Sequence, residues 1–230
     1  MTTELTKLWH IDSINLFEDI PYEEKLKIEK LTVTNKHGKN ENIYFPDEPS
    51  TDIYFVASGR VKIASNSVDG KENIKAIIYE GEMFGETGLI DNERFDKRID
   101  FAQSMEEDTV VCVISYDDMK QIIKTQKHLN DRLIKQITKR LRRTEKRLES
   151  IVFKDARTRL IDFIKELALD LGKPVGHEML VKHRLTHQEI ANITAISRQK
   201  VTTLLNELKQ ENLIYLERKS MLIRNMDSLE

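Results

Sequence analysis

The most informative part of the C-terminal third runs from Leu185 to Leu216 and reads LTHQEIANITAISRQKVTTLLNELKQENLIYL. Thr186 and Glu189 have the spacing of a capping box, in which the threonine hydroxyl accepts the N3 amide proton and the glutamate returns to the cap amide. Ser197 is placed to cap a second helix, whose apolar positions recur at helical spacing: Val201, Leu204, Leu205 and Leu208. The sequence therefore predicts two capped helices joined by a short turn.

The second helix is predicted to turn a polar face outward, formed by Arg198, Gln199, Lys200, Thr202 and Thr203. Arginine can bond a guanine edge bidentately, glutamine can do the same for adenine, threonine offers a hydroxyl and a methyl group, and lysine suits phosphate. The amides at the helix N-terminus are further donors for a backbone phosphate. We therefore predict a helix-turn-helix whose recognition helix, about residues 197–209, reads double-stranded DNA. The alternative is a three-helix cap whose polar face is only solvated.

Short elements flank this motif on both sides. Leu213–Leu216 and Met221–Ile223, joined by Glu217-Arg218-Lys219-Ser220, predict a two-stranded wing with a basic tip. Upstream, Ala156–Leu171 is predicted to be a helix that ends at Gly172, followed by a loop over Gly172–Glu178 and a short strand over Met179–Val181.

In the N-terminal half, the apolar residues recur with a different period. From about Lys36 to Ser115, short and mostly alternating apolar runs such as Ile53–Val56 and Val110–Ile114 are separated by turn signals, which predicts an all-β domain. Asp69-Gly70 is a hairpin turn because glycine tolerates positive φ. A short helix over Pro21–Leu31 precedes the strands, so the whole chain is predicted to be α+β.

A long helix is predicted between the two regions, because no Gly or Pro occurs from Asp117 to Leu171. The chain is thereby divided into residues 1–117, the helix 118–154 and residues 155–230. Along the helix, apolar and small residues recur at spacings of three and four: Ile134, Ile137, Leu141, Thr144, Leu148 and Ile151. Such a seam packs against another helix. It favours a two-fold dimer, with packing against the β-domain of the same chain as the alternative.

Charge is distributed unevenly over the 230 residues. Residues 1–119 hold 13 basic and 25 acidic side chains (net −12), residues 120–155 hold 12 and 4 (+8), and residues 156–230 hold 12 and 10 (+2). A polyanion is therefore attracted toward the C-terminal side, unless the basic residues only form a solvated helix face. No apolar stretch reaches the roughly 18 residues of a membrane span and Met1–Leu8 lacks a signal-peptide core, so a cytoplasmic protein without a membrane partner is expected.

Motifs along nearly the whole chain resemble those of the CRP/FNR family of bacterial transcription regulators. They are Ser58–Ile63 (SGRVKI), Gly81–Leu89 (GEMFGETGL), the long helix, and the segments Thr186–Ala191, Ser197–Gln199 and Asn212–Ile214. The resemblance implies a cyclic-nucleotide-binding-like β-roll, a dimerisation helix and a winged helix-turn-helix that binds a palindromic site as a homodimer. It places Ser197, Arg198, Gln199, Thr202 and Thr203 in the major groove, and Thr186, Gln188, Lys200 and Lys219 complete the predicted DNA-binding set. The loop Gly172–Glu178 matches a place where some members touch RNA polymerase.

The resemblance also proposes an effector pocket in the β-roll, with Gly85, Glu86, Thr87, Arg98 and Thr144 as candidates. In members that bind cyclic AMP, the residue at Glu86 holds the ribose hydroxyl, an Arg-Ser pair holds the phosphate and a Thr-Ser pair touches the base. Here Ile99-Asp100 and Glu145 stand where Arg-Ser and the second Ser are expected. Asp100 would repel a phosphate, which speaks against cyclic AMP, although Arg98 is one residue away. The effector, if there is one, stays unidentified.

Other functions find little support in the sequence. The single cysteine, Cys112, is predicted to be a buried core residue, which excludes the iron–sulfur cluster of FNR-like members. None of the six histidines has a spacing that argues for haem or a metal, and the helix start between His183 and His187 separates their faces, so no metal site is predicted. Gly81, Gly85 and Gly88 are too irregular for a dinucleotide fingerprint and no catalytic constellation is evident, so an enzyme is not expected. A cyclic-nucleotide-domain scaffold that binds proteins rather than DNA is the competing function.

Overall fold

The computed structural model describes residues 3–89, 97–126 and 128–229. Contacts divide the chain into two compact units, Met1–Leu141 and Arg142–Glu230. Helix α4 (His128–Phe153) contributes residues to both. The α+β fold class predicted from the sequence is confirmed.

The first unit is a pair of antiparallel sheets flanked by helices. After α1 (Thr3–Asp12) and α2 (Tyr22–Leu31) come eight strands and then α3 (Tyr116–Thr125). The strands are β1 (Val33–His37), β2 (Asn42–Tyr44), β3 (Asp52–Ser58), β4 (Val61–Asn66), β5 (Glu72–Ile78), β6 (Met83–Phe84), β7 (Phe101–Ser104) and β8 (Thr109–Ser115). They form two four-stranded sheets in the orders β1-β8-β3-β6 and β2-β7-β4-β5. Both the all-β region and the helix before it are as predicted.

The sheet of β3 and β8 is buried on both faces, because successive residues of a strand point to opposite sides. Phe55 and Cys112 belong to the apolar core shared with the helices, whereas Val56 and Val111 belong to the core between the sheets. This explains why these strands read as nearly continuous apolar runs. Burial raises the pKa of the Cys112 thiol, in agreement with its predicted place in the core.

The hairpin of β4 and β5 confirms the predicted turn at Asp69-Gly70. The strands pair antiparallel from Val61 with Ile78 to Asn66 with Glu72. Gly70 has a φ of +75° and nothing lies within 4 Å of where a Cβ would stand, so backbone conformation rather than space requires glycine here.

The helical region after β8 differs from the prediction, because the expected single helix over 118–154 is two helices. α3 ends at Thr125, Gln126 has φ −119° and ψ 76°, and α4 begins at His128. Gly and Pro are absent, so tertiary packing causes the break. The change of direction buries both Ile122 of α3 and Leu129 of α4 in the same core, which one straight helix would not achieve.

The second unit comprises α5 (Ala156–Leu171), β9 (Gly172–Val175), β10 (Glu178–Val181), α6 (His187–Thr194), α7 (Arg198–Gln210), β11 (Ile214–Glu217) and β12 (Ser220–Ile223). The predicted wing, β11 with β12, belongs to a four-stranded sheet in the order β11-β12-β10-β9. The loop predicted over Gly172–Glu178 is wrong, since β9 pairs with β10 in a hairpin. Pairing between β10 and β12, about forty residues apart in the chain, creates this sheet, and a local pattern does not report such a partner.

Gly172 ends α5 by close packing. Its φ is −67°, which any residue adopts, but a Cβ there would lie 2.2 Å from the Ala168 carbonyl oxygen and 2.6 Å from Met179 Sδ. Glycine is therefore required mainly because the last turn of α5 leaves no room for a Cβ beside the Ala168 carbonyl oxygen.

Candidate nucleic-acid interface

The first helix of the motif, α6, begins at the predicted capping box. The Glu189 amide donates to Thr186 Oγ1 at 3.2 Å, and the Thr186 amide donates to Glu189 Oε2 at 2.6 Å. Both bonds satisfy amides that the helix itself leaves free. The start of α6 is therefore fixed by its own sequence.

A tight turn joins α6 to α7. Ala195 lies in the left-handed region with φ 54°, and its carbonyl oxygen accepts a hydrogen bond from Arg159 Nη2 of α5 at 3.1 Å. Ile196 is buried, and Ser197 accepts from the Lys200 amide at 3.2 Å, which confirms it as the N-cap of α7. The bond from α5 compensates for the unfavourable backbone of a non-glycine residue in this region.

The helix α7 has one buried and one polar face, as predicted. The side chains that face the core are at most 2% exposed: Val201, Leu204, Leu205 and Leu208. Four predicted readers are exposed together, namely Arg198, Gln199, Lys200 and Thr203. Because the core side is fully packed, the polar row is held in a fixed orientation.

Thr202 differs from the other predicted readers, since it is half-buried. Its hydroxyl donates to the Arg198 carbonyl at 3.1 Å and contacts His187 Nδ1 at 2.9 Å. Thr202 therefore connects α7 to the first residue of α6. Sequence reasoning considered His187 only as a metal ligand, and the 15-residue separation of this pair gave no signal for the contact.

The wing presents the predicted basic tip. Lys219 has a φ of 64°, Arg218 and Lys219 are exposed, and the Arg184 amide donates to the Lys219 carbonyl oxygen at 2.8 Å. A cleft of about 230 Å³ separates the wing from the start of α6. It is lined by His183, Leu185, Thr186, His187, Ile190, Leu205, Leu216, Glu217, Arg218, Lys219, Ser220 and Met221.

The cleft contains the two histidines that sequence analysis weighed as metal ligands, His183 and His187. His183 Nδ1 accepts from the Leu185 amide at 3.0 Å, and His187 Nδ1 contacts Thr202 Oγ1 at 2.9 Å. Among the residues that the structure describes, no group of three or more histidine, cysteine, aspartate or glutamate side chains is arranged to hold a metal ion.

In the β-roll, the Arg98 side chain is buried and bonds to other groups of the protein. It is 5% exposed and donates to the carbonyl oxygens of Gly85 and Asp52, and its guanidinium lies 4.6 Å from the Tyr44 ring centroid. Burial raises the pKa of the Tyr44 phenol, and the positive charge of Arg98 opposes that rise. Gly85 has a φ of +76°, and a Cβ there would lie 2.9 Å from Arg98 Nη1.

The other effector-pocket candidates are not all in one place. Glu86 Oε1 accepts from Arg140 Nη1 of α4 at 2.6 Å, and Arg140 also donates to the Met83 carbonyl oxygen. The ion pair of Arg140 could not be predicted from the local sequence pattern, because its partner Glu86 is 54 residues away. Thr87 is exposed, and Thr144 belongs to the second unit. Asp100 forms an ion pair with Lys75.

The predicted dimer seam lies along α4. Ile134, Leu141, Leu148 and Ile151 are between 41% and 63% exposed, and Thr144 is exposed as well. Ile137 differs, because it packs against the core of its own unit. Three apolar side chains spaced seven residues apart, at 134, 141 and 148, are thus exposed in the part of the chain that the structure describes.

These features define a winged-helix protein with a β-roll. Residues 35–126 match the model of the cyclic nucleotide-binding domain, and residues 158–230 match that of the Crp-like helix-turn-helix domain. A CRP-like cAMP-activated global transcriptional regulator of Mycobacterium tuberculosis is 30% identical over 191 residues, which are 83% of this chain and 84% of that protein. A global nitrogen regulator of Synechocystis is 26% identical over 193 residues, 84% of this chain and 85% of that protein.

Solved structures share the fold. A CooA mutant from Carboxydothermus hydrogenoformans superposes with a TM-score of 0.81 at 24% identity, covering 96% of this chain and 97% of that one. FixK2 from Bradyrhizobium japonicum superposes with a TM-score of 0.74 at 21% identity, covering 86% of this chain and 95% of that one.

The chain belongs to the CRP/FNR family, a family of DNA-binding transcription regulators rather than of enzymes. Members of this family bind DNA and act as dimers. Of the helices in the described parts of this chain, none is both long and apolar enough to cross a membrane.

Proposed function

We propose that this protein regulates transcription as a homodimer that binds a two-fold symmetric DNA site, with α7 of each protomer in the major groove. The observation that carries the proposal is the exposed row of Arg198, Gln199, Lys200 and Thr203 on the first half of a helix whose opposite face is fully buried. A recognition helix contacts base edges with its N-terminal residues, and that is where this row lies.

Each exposed side chain has a role set by its chemistry. Arg198 is suited to a guanine edge, Gln199 to an adenine edge and Thr203 to a thymine methyl or a phosphate. Lys200 and Lys219 are suited to phosphates. Ser197 acts mainly as the helix cap, since its hydroxyl already accepts from the Lys200 amide.

Phosphate contacts are also assigned to the start of α6. Thr186 and Gln188 are exposed there, and Gln188 is held by a hydrogen bond from its Nε2 to Asn192 Oδ1 at 2.8 Å. The first helix of such a motif crosses the DNA backbone.

The dimer is proposed to form along α4. Ile134, Leu141 and Leu148 recur every seven residues and are exposed, and a sustained a/d seam packs against a second helix. In this arrangement, residues 1–117 act as a sensor-like β-roll, 118–154 contain the dimerisation helix and 155–230 bind DNA.

The β-roll is proposed to hold a small-molecule effector. Glu86 stands where members that bind cyclic AMP hold the ribose hydroxyl, but its carboxylate is paired with Arg140. Arg98 is bonded to carbonyl oxygens. Cyclic AMP is therefore not the ligand that this geometry favours.

Two further assignments concern the cell. RNA polymerase is proposed to contact the β9–β10 hairpin, where Val175 is half exposed between Lys173 and His177. The protein is proposed to act in the cytoplasm, where bacterial DNA and its polymerase meet.

Selection from a random duplex pool at one stated salt concentration, with and without cyclic AMP, tests the DNA-binding proposal. We expect a two-fold symmetric consensus. Arg198→Ala should then weaken binding to that consensus by about 1–3 kcal/mol, the value of one bidentate base contact. Lys209→Ala, an exposed change at the far end of the same helix, is the matched control. Failure to enrich any duplex, or equal binding by both variants, would contradict the proposal.

A further inference from the structure

A short chain of hydrogen bonds joins the two helices of the DNA-binding motif. His187, the first residue of α6, contacts Thr202 Oγ1 of α7 through Nδ1 at 2.9 Å. The same hydroxyl bonds the Arg198 carbonyl oxygen at 3.1 Å. The chain therefore runs from His187 through Thr202 to the residue best suited to read a base.

The number of available protons decides which histidine nitrogen is protonated. Thr202 has one hydroxyl proton, and the Arg198 carbonyl oxygen can only accept. Both contacts are satisfied only when the hydroxyl donates to Arg198 and accepts from His187. His187 Nδ1 must then carry a proton, so the neutral ring has a bare lone pair on Nε2.

The Nε2 atom is the ring nitrogen left for a partner outside the motif, since His187 is exposed and lines the cleft beside the wing. A bare lone pair cannot bond a phosphate oxygen, which is itself an acceptor. Once Nε2 takes up a proton, the ring becomes a cation that donates a charge-assisted hydrogen bond.

We infer that His187 is a proton-dependent phosphate contact, so that DNA binding takes up a proton at this residue and becomes tighter as the pH falls. The inference rests on the proposed DNA-binding function and deepens it by adding a contact that depends on Thr202.

The charges that face His187 are of both signs. Across the cleft, the wing supplies Arg218 and Lys219, and Glu217 supplies one carboxylate. His183 lines the same cleft from the segment before α6. The Glu189 carboxylate on α6 is engaged by Thr186, and Arg198 lies at the start of α7. The cationic tip favours a phosphate in this cleft, and the phosphate in turn offsets the repulsion between the tip and a protonated His187.

The test measures binding of the full-length protein to a labelled duplex carrying the selected consensus, at pH 6.0 and 8.0 and constant ionic strength. Histidine changes charge in this range, and a hydrogen bond to a charged group is strong, so wild-type affinity should rise about tenfold toward pH 6.0. In His187→Asn, the amide nitrogen can still donate to Thr202 but Nε2 is gone. Its affinity should change by less than about twofold over the same range.

A second variant tests the part played by Thr202. In Thr202→Val the hydroxyl is removed and Nδ1 is released, so the neutral ring can carry its proton on Nε2 and bond a phosphate without proton uptake. The pH dependence should become shallower although His187 is intact. His177→Asn, on the β9–β10 turn of the same unit, should keep the wild-type dependence.

The outcomes separate the two proposals. No binding at either pH overturns DNA binding and this inference together. Specific binding with the same pH dependence in wild type and His187→Asn overturns the inference alone, as does an unchanged dependence in Thr202→Val. Far-UV circular dichroism at both pH values verifies that each variant is folded.

Discussion

Thr186 is the residue on which the start of the DNA-binding motif depends most directly. Its hydroxyl accepts from the Glu189 amide, and the Glu189 carboxylate accepts from the Thr186 amide. Thr186→Ala removes the first bond and weakens the second. We expect the free energy of unfolding to fall by about 1 kcal/mol, the usual cost of losing an N-cap. Urea denaturation of the full-length protein, followed by a spectroscopic probe placed in the helix-turn-helix, measures the change in the free energy of unfolding.

The matched control for this prediction is Thr203→Ala. Thr203 is exposed within α7, and its hydroxyl bonds the Gln199 carbonyl oxygen four residues earlier. Alanine has the higher helix propensity, so the same chemical change should leave stability unchanged or raise it slightly. Equal losses in both variants would show that the cap contributes nothing special.

At the scale of one element, α4 carries the prediction about assembly. Leu148 is 63% exposed on the seam, so Leu148→Glu removes little packing from the chain itself. In a dimer it would place two carboxylates in an apolar interface, and burying an unpaired charge costs several kcal/mol. We expect the dimer dissociation constant to rise by at least about a hundredfold. Sedimentation equilibrium measures this constant.

Leu169→Glu is the control for the assembly prediction. Leu169 is 82% exposed on α5, outside the seam. This variant should assemble like the wild type. A dimer that tolerates Leu148→Glu would place the interface elsewhere on the chain.

At the scale of the whole molecule, the uneven charge determines how DNA binding responds to salt. Phosphate contacts release counterions, so the logarithm of the binding constant falls linearly with the logarithm of salt concentration. Lys219, exposed on the wing, is assigned one such contact. Lys219→Ala should make that slope shallower by about one for each protomer and weaken binding to all sequences alike.

Titrations between 50 and 200 mM salt, roughly the range over which phosphate contacts are most evident, measure the slope. Lys173→Ala, on the β9–β10 hairpin, should retain the wild-type slope. If the Lys219 variant retains it too, the wing does not contact phosphate.

Features that depend on neighbours a few residues apart could be predicted from the amino-acid sequence. The capping box at Thr186 and Glu189, the cap at Ser197, the buried face of α7 and the turn at Gly70 were all predicted and are all present. A cap is completed within one helical turn, and the period of a buried face is set by the geometry of the helix. Such signals survive in any tertiary context that keeps the element.

Features that depend on distant partners became evident only in the folded chain. The break between α3 and α4 allows Ile122 and Leu129 to share a core, and β9 became a strand because β10 passes beside it. The ion pair of Arg140 with Glu86 and the contact of His187 with Thr202 join residues 54 and 15 positions apart. A hydrogen bond or a packed contact needs two groups within a few ångströms of each other, and the local pattern of a sequence does not fix which distant groups the fold brings that close.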